Sequence, residues 1–165
     1  MYKGVVIFDL DGTLANGKHR NHALPSAESA SKTWAWDRHN MLAVADTPIQ
    51  DTIDVCNMMH KTHKIIILTG RCVVAHDLTV EWLAKHNVQY DELIMRGVDD
   101  HRGDIEYKKE ELISIGLDKI LCTYDDLEHV AVMMRGLGLT CYLVNKYNKD
   151  RVNTLDNSEW NKLEQ

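Results

Sequence analysis

Five short apolar runs, each followed by polar residues, constrain this chain more than anything else in it. They are Gly4–Asp9, Lys64–Thr69, Glu92–Met95, Lys119–Tyr124 and Thr140–Val144. Runs this short, rich in Ile, Leu and Val and apolar on both alternating faces, suit strands buried between two layers of helix. The stretches between them have helical spacing. Residues 49–63 carry Ile49, Ile53, Cys56 and Met59, and residues 74–86 carry Leu78, Trp82 and Leu83. Residues 110–115 and 127–136 complete the set, with Gly136 placed as a helix stop. Strand and helix alternate, which predicts an α/β fold: a Rossmann-like, parallel, five-stranded sheet between helices. At 165 residues the expectation is one domain over 1–165, long enough to bury roughly 70% of its unfolded surface.

One segment breaks the alternation. Residues 15–47 begin polar and then carry Trp34, Trp36, Met41 and Leu42 in a helix-compatible stretch. That is too long for an ordinary connection. It predicts a small, largely helical cap insert after the first strand, folded over the carboxyl ends of the strands. Residues 145–165 are polar and predict a short helix or a frayed end.

The net charge of −6 excludes a protein that coats nucleic acid through a broad basic face, so any such contact must be local. No apolar run approaches the ~20 residues that span a bilayer. Met1-Tyr2-Lys3-Gly4 leads straight into the first run, which predicts no secretory leader and a cytoplasmic location. The four cysteines form no CxxC pair and read as reduced thiols. None of the nine histidines falls in an HExxH or zinc-finger spacing.

Open α/β sheets bind ligands at the carboxyl ends of their strands, and the polar residues of interest stand there. Asp9-Leu-Asp11-Gly-Thr13 follows the first run, Thr69-Gly70-Arg71 the second, and Asp125-Asp126 the fourth. Asp104 and Lys108 precede the fourth run. Convergence of Asp9, Asp11, Asp125 and Asp126 would be costly without a cation, and carboxylate oxygens are what magnesium takes. Such a site has the parts for phosphoryl transfer: a carboxylate nucleophile, a second carboxylate as acid and base, a hydroxyl for phosphate oxygens, and a lysine for accumulating charge. A helix-cap role would explain one aspartate pair, but not four motifs in register.

At these residues the chain resembles the haloacid dehalogenase superfamily, over roughly residues 4 to 145. The resemblance implies that Asp9 is the nucleophile and that Asp11 is the acid/base and lends its carbonyl to the metal. Thr69 would then hold phosphate, a lysine would form the third motif, and Asp125 and Asp126 would complete a Mg2+ site. A closer similarity runs to the 3′-phosphatase domain of phage polynucleotide kinase. It is carried by Ala15-Asn-Gly17-Lys-His-Arg20, Leu68-Thr-Gly70-Arg71, Met95-Arg96, Asp104-x-x-x-Lys108, Asp125-Asp126 and the stretch from Val130 to Val144. This similarity implies supporting roles for Arg20, Arg71 and Asp104. No phosphate-binding G-x-x-x-x-G-K-[ST] loop occurs in these residues, which predicts that the kinase half is absent.

Lys108 lies four residues from Asp104 and can pair with it on one helix face, whereas Lys109 precedes Glu-Glu-Leu as the family's lysine does. We take Lys108 as the active residue and keep Lys109 as the alternative. Arg20 and Arg71 offer planar forks for a phosphate or a carboxylate, approaching the site from its rim. Arg96 and Gly70 join them as candidate substrate contacts, with Lys18 and Arg102 as further groove charges. Trp34 and Trp36 fit packing of the insert onto the core better than stacking on a base. The expected substrate is a phosphomonoester, foremost a 3′-phosphate on a nucleic-acid end or nucleotide. The alternatives are a 5′-phosphate on a small (deoxy)nucleotide and, from another class, an idle binding module.

Overall fold

The computed structural model describes residues 3–144; the expected helix or frayed end over 145–165 lies outside the described residues. The strands are β1 (Val5–Phe8), the two-residue β2 (Ala15–Asn16) and β3 (Thr47–Pro48), β4 (Lys64–Cys72), β5 (Glu92–Arg96), β6 (Ile120–Asp125) and β7 (Cys141–Leu143). The helices are α1 (Asp37–Met41), α2 (Gln50–His60), α3 (His76–Lys85), α4 (Asp104–Ile115) and α5 (Glu128–Gly136). Five strands form the main sheet in the order β5-β4-β1-β6-β7, with every pairing parallel. The central strand β1 runs in register with β4 from Val5↔Lys64 to Phe8↔Ile67.

The strands are apolar on both faces because each face meets its own core. Val6, Phe8, Ile65 and Ile67 pack with Ile53, Trp82 and Leu83 on the α2/α3 side. The alternate residues Ile7, Ile66 and Leu68 pack with Tyr107, Leu112, Val130 and Met134 on the α4/α5 side. Full burial of each such side chain contributes ~1.5–3 kcal/mol relative to exposure. Phe8 also stacks on Tyr124 across the β1–β6 pair, with centroids 4.4 Å apart.

Two local expectations change. The third helical stretch opens at Asp104, not residue 110, because Asp104 and Glu106 occupy a first turn where acidic residues complement the helix dipole. Gly136 is the last residue of α5, and the turn is made at Gly138, whose φ of +85° favours glycine.

The segment between β1 and α2 is pinned at its root by the antiparallel β2–β3 pair, Ala15↔Pro48 and Asn16↔Thr47. Between these strands lie 3-10 turns at Lys18–Ala23, Thr33–Trp36 and Leu42–Ala45 and the single α-helical turn α1.

Candidate active site

The chain leaves β1 toward β4 and β5, then returns to build β6 and β7 on the other side. The carboxyl ends of β1 and β6 therefore flank the point where connections diverge, and no crossover covers it. Asp9 and Asp11 follow β1 at this point, and Asp125 ends β6. The sharp turn after Asp11 requires Gly12, which has φ +88°. A β-carbon there would come within 2.0 Å of Asp126 Oδ2. Glycine thus lets the two acidic segments approach.

Three of the four aspartates converge. Asp9, Asp125 and Asp126 each offer an oxygen, all within 4.8 Å of one another. Lys108 Nζ donates to Asp9 Oδ1 at 3.0 Å and to Asp125 Oδ2 at 2.8 Å, and it lies 3.8 Å from Asp104 Oδ2. The lysine is 3% exposed, and despite burial its anionic neighbours raise its pKa. Lys109, next in sequence, is exposed on α4. Burial pushes the Asp9 carboxyl well up, against the pull of Lys108 and with help from Asp125 and Asp126. Burial and Asp125 together push Asp126 up to about 6. Its Oδ1 is buried with no hydrogen-bond partner among the described residues. One ammonium cannot balance three carboxylates. The orphaned oxygen and the all-oxygen donor set fit a hard divalent cation such as magnesium.

The fourth aspartate is paired elsewhere, which corrects the expected convergence of all four. Asp11 Oδ1 accepts from Arg20 and, at 2.6 Å, from Arg71 Nη2. Although burial opposes it, the Arg71 and Arg20 guanidiniums hold the Asp11 carboxyl below its ordinary range. Both arginines also reach Asp46, a residue the sequence reading missed. Arg20 donates to its two oxygens at 2.9 Å each, and Arg71 Nη2 lies 3.3 Å from Oδ2. The backbone carbonyl of Asp46 accepts from Trp82 Nε1 at 2.8 Å, which ties the insert's end to α3. Arg71 Nη1 donates to Thr79 Oγ1 at 3.0 Å, and Arg20 Nη1 to His39 Nδ1 at 2.7 Å.

Arg20 is 1% exposed. The expectation that it grips substrate from the rim is therefore corrected: its fork is committed to two carboxylates. Gly17 permits this placement, since a β-carbon there would lie 2.7 Å from the guanidinium. The signal for Asp46 was faint. It stands in a plain Ala-Asp-Thr-Pro segment, and only two otherwise unbalanced buried arginines point to an anion.

Asp9, Asp11, Thr69, Gly70, Arg71, Asp104 and Lys108 all line one cavity of about 440 Å³. Thr69 is buried and its Oγ1 accepts from the Arg71 amide at 3.1 Å. Arg96 also lines the cavity, held by the Gly70 and Arg102 carbonyls at 3.2 and 2.6 Å. Arg102 is tied to Asp100, Glu110 and Glu111, and Lys18 is exposed beside a second cavity of about 380 Å³.

The other wall comes from the insert. It is joined to the loop after β5 where Thr33 Oγ1 donates to the Asp100 carbonyl and His101 Nδ1 lies 3.1 Å from Thr33 Oγ1. Neither insert tryptophan belongs to the buried apolar clusters. Trp34 is 61% exposed, and Trp36 lines the cavity. Trp82 of α3 is in the core. All four cysteines are free and buried, and no helix among the described residues is long and apolar enough to cross a membrane.

Comparison with known proteins bears on this arrangement. Residues 3–148 match the family described as the phosphatase domain of polynucleotide kinase PNKP. No curated protein matches the chain. Two solved structures of the Pnkp1/Rnl/Hen1 complex, one titled an RNA repair complex, contain similar chains. One is 28% identical with a TM-score of 0.70, covering 89% of this chain and 47% of the other. The second is 29% identical with a TM-score of 0.67, covering 88% and 43%. This chain thus spans less than half the length of either. A haloacid dehalogenase-like hydrolase from Streptococcus pneumoniae shares the fold at 13% identity and a TM-score of 0.62, covering 98% of both chains. A family match that includes every described residue, on a fold shared with haloacid dehalogenase-like hydrolases, makes this chain a phosphatase domain of the polynucleotide kinase PNKP family.

Proposed function

We propose that this chain is a magnesium-dependent phosphomonoesterase that works through an aspartyl-phosphate on Asp9 and removes 3′-phosphates from nucleic-acid ends. The observation that carries this reading is the convergence of Asp9, Asp125 and Asp126 on one another, with Lys108 bonded to the first two, beside a cavity lined by Asp9, Lys108 and Thr69. The similar chains of an RNA repair complex support a nucleic-acid end as substrate.

Lys108 engages Asp9 Oδ1, while Oδ2 has no hydrogen-bond partner among the described residues. Oδ2 is the attacking oxygen. Its bond to phosphorus forms as the ester P–O bond breaks, and the leaving oxygen takes a proton from Asp11. Asp11 then accepts a proton from water as that water attacks phosphorus. The Asp9–phosphorus bond breaks and inorganic phosphate leaves. The two arginines orient Asp11 and hold it ionised for this second step. A phosphoryl group entering beside it opposes their pull and favours its protonated form in the first. Thr69 supplies a hydroxyl to the phosphate oxygens, and Lys108 offsets charge on Asp9 and on the transferring group. Asp9, Asp125 and Asp126 would hold magnesium, which when bound neutralises phosphate charge beside the nucleophile.

The join of Thr33 to Asp100 and His101 supports a second reading, a 5′(3′)-nucleotidase, because a walled cavity also suits a free mononucleotide. A substrate panel with magnesium separates them: 3′- and 5′-phosphorylated oligonucleotides, 3′- and 5′-mononucleotides, and an aryl phosphate. Preference for a 3′-phosphate over a 5′-phosphate on one strand is expected. Faster release from 5′-mononucleotides than from every 3′-phosphorylated substrate would replace the first reading with the second.

A further inference from the structure

The insert side of the cavity contains groups that the phosphoryl chemistry does not use. Trp36, His39 and Asn40 are spaced i, i+3 and i+4 around α1, so they share one face of that turn. All three line the same cavity as Asp9 and Thr69. Trp36 belongs to neither buried apolar cluster. Its ring is nevertheless held in place, by a hydrogen bond from Nε1 to the Ala30 carbonyl at 2.9 Å and by an edge contact with His39 at 5.6 Å and 88°. Asn40 is 5% exposed. Its side-chain amide has no hydrogen-bond partner among the described residues. The amide therefore stands at the cavity wall without a protein partner, where a ligand could satisfy both its donor and its acceptor.

We infer that Trp36 and Asn40 form a subsite for the nucleobase next to the scissile phosphate, Trp36 by stacking and Asn40 by hydrogen bonding to the base edge. The chemistry matches on both counts. A fixed aromatic ring stacks on any base without regard to its identity. An amide presents one donor and one acceptor side by side, the pattern that reads a base edge bearing both. Exposed Trp34, outside the cavity, has no part in it. A purely structural Asn40 would be expected to bond to the insert's own backbone, and it does not. The volume is within the range of pockets that enclose a small ligand. The inference rests on the proposed phosphomonoesterase reading and adds that the enzyme grips the terminal nucleoside as well as its phosphate.

The test compares oligonucleotides ending in a 3′-phosphate on a normal nucleotide with the same strands ending in a 3′-phosphate on an abasic sugar. The wild-type protein should favour the base-bearing end by about tenfold or more in kcat/KM, the size expected of one stacked base. Trp36→Ala and Asn40→Ala should each shrink that preference, mainly through KM, and Trp36→Phe should restore most of it. Equal rates on both ends with wild-type protein would overturn the subsite, and this arm needs no variant to fold. So would variants that slow both ends alike, which would place these residues against sugar or phosphate.

Binding of nucleoside monophosphates against ribose phosphate to the Asp9→Asn protein separates this failure from that of the parent reading. Base-dependent binding without release from any 3′-phosphorylated end keeps the subsite and discards the 3′-phosphatase. Release without base dependence does the reverse.

Discussion

On the β6 side of the first motif, Asp9, Asp125 and Asp126 converge and only the first two bond to Lys108; on the insert side, Asp11 and Asp46 share Arg20 and Arg71. The two clusters lie two residues apart along β1's end, yet their charge balance is opposite. The first keeps an excess of negative charge and an orphaned carboxylate oxygen. The second matches two anions with two cations through multiple hydrogen bonds. An imbalance that burial makes costly persists only where something else enters to relieve it. A balanced cluster does a different job: it holds one carboxylate in one orientation.

The largest effect expected from this contrast is at Asp9. Asp9→Asn should lower kcat by about 10⁴-fold or more, as loss of a nucleophile does. It should leave thermal stability unchanged or higher, because burial already drives this carboxyl toward its uncharged form. A variant that retains a tenth of the wild-type rate, with contamination excluded, would refute the nucleophile assignment.

Metal removal comes next and should act on the first cluster alone. Exhaustive chelation should abolish turnover. At saturating magnesium, about 100 times its Kd, the metal should add about 2.7 kcal/mol, a rise of several degrees in Tm. Asp126→Asn should lose most of that rise, whereas Asp46→Asn should keep it. Equal magnesium response in both variants would erase the distinction between the clusters.

The balanced cluster predicts coupling in place of metal dependence. Arg20→Ala strips buried Asp46 of two of its hydrogen bonds and leaves it to Arg71 and His19, at a cost of about 3 kcal/mol. It should also lower kcat by roughly 10- to 100-fold, through misorientation of Asp11 and not through lost substrate binding. The double variant Arg20→Ala/Asp46→Ala should be less destabilised than the sum of the singles, by about 1 kcal/mol or more. Strict additivity would show that the two side chains do not act together. The smallest effect is expected at Lys109→Ala, within about threefold of wild type because that side chain is exposed on α4. Lys108→Ala should be severely impaired.

Much of this architecture was legible in the chain, for a local reason. The five apolar runs are short and two-faced because each strand is covered on both sides, so the parallel sheet follows from residues read a few at a time. Asp9, Asp11, Asp125 and Asp126 stand at strand ends, and Thr69 where the register of β4 breaks before its end, the region in which α/β sheets gather their ligands whatever the rest of the fold does. Other features depended on distance and direction, which a linear pattern does not contain. Lys108 and Lys109 differ by one position, but 100° of helical turn puts one against Asp9 and the other in water. Arg20 appeared free to grip phosphate until Asp46, 26 residues away in sequence, was found against it. Trp34 and Trp36 are neighbours with the same chemistry, and only the path of the insert sends one to solvent and the other to the cavity wall. Strand identity is set by short-range periodicity, so the sequence by itself determined the sheet and the place of the site. The partner of each buried charge is set by how separate segments pack, so only the tertiary structure decided which carboxylates stand open and which are held.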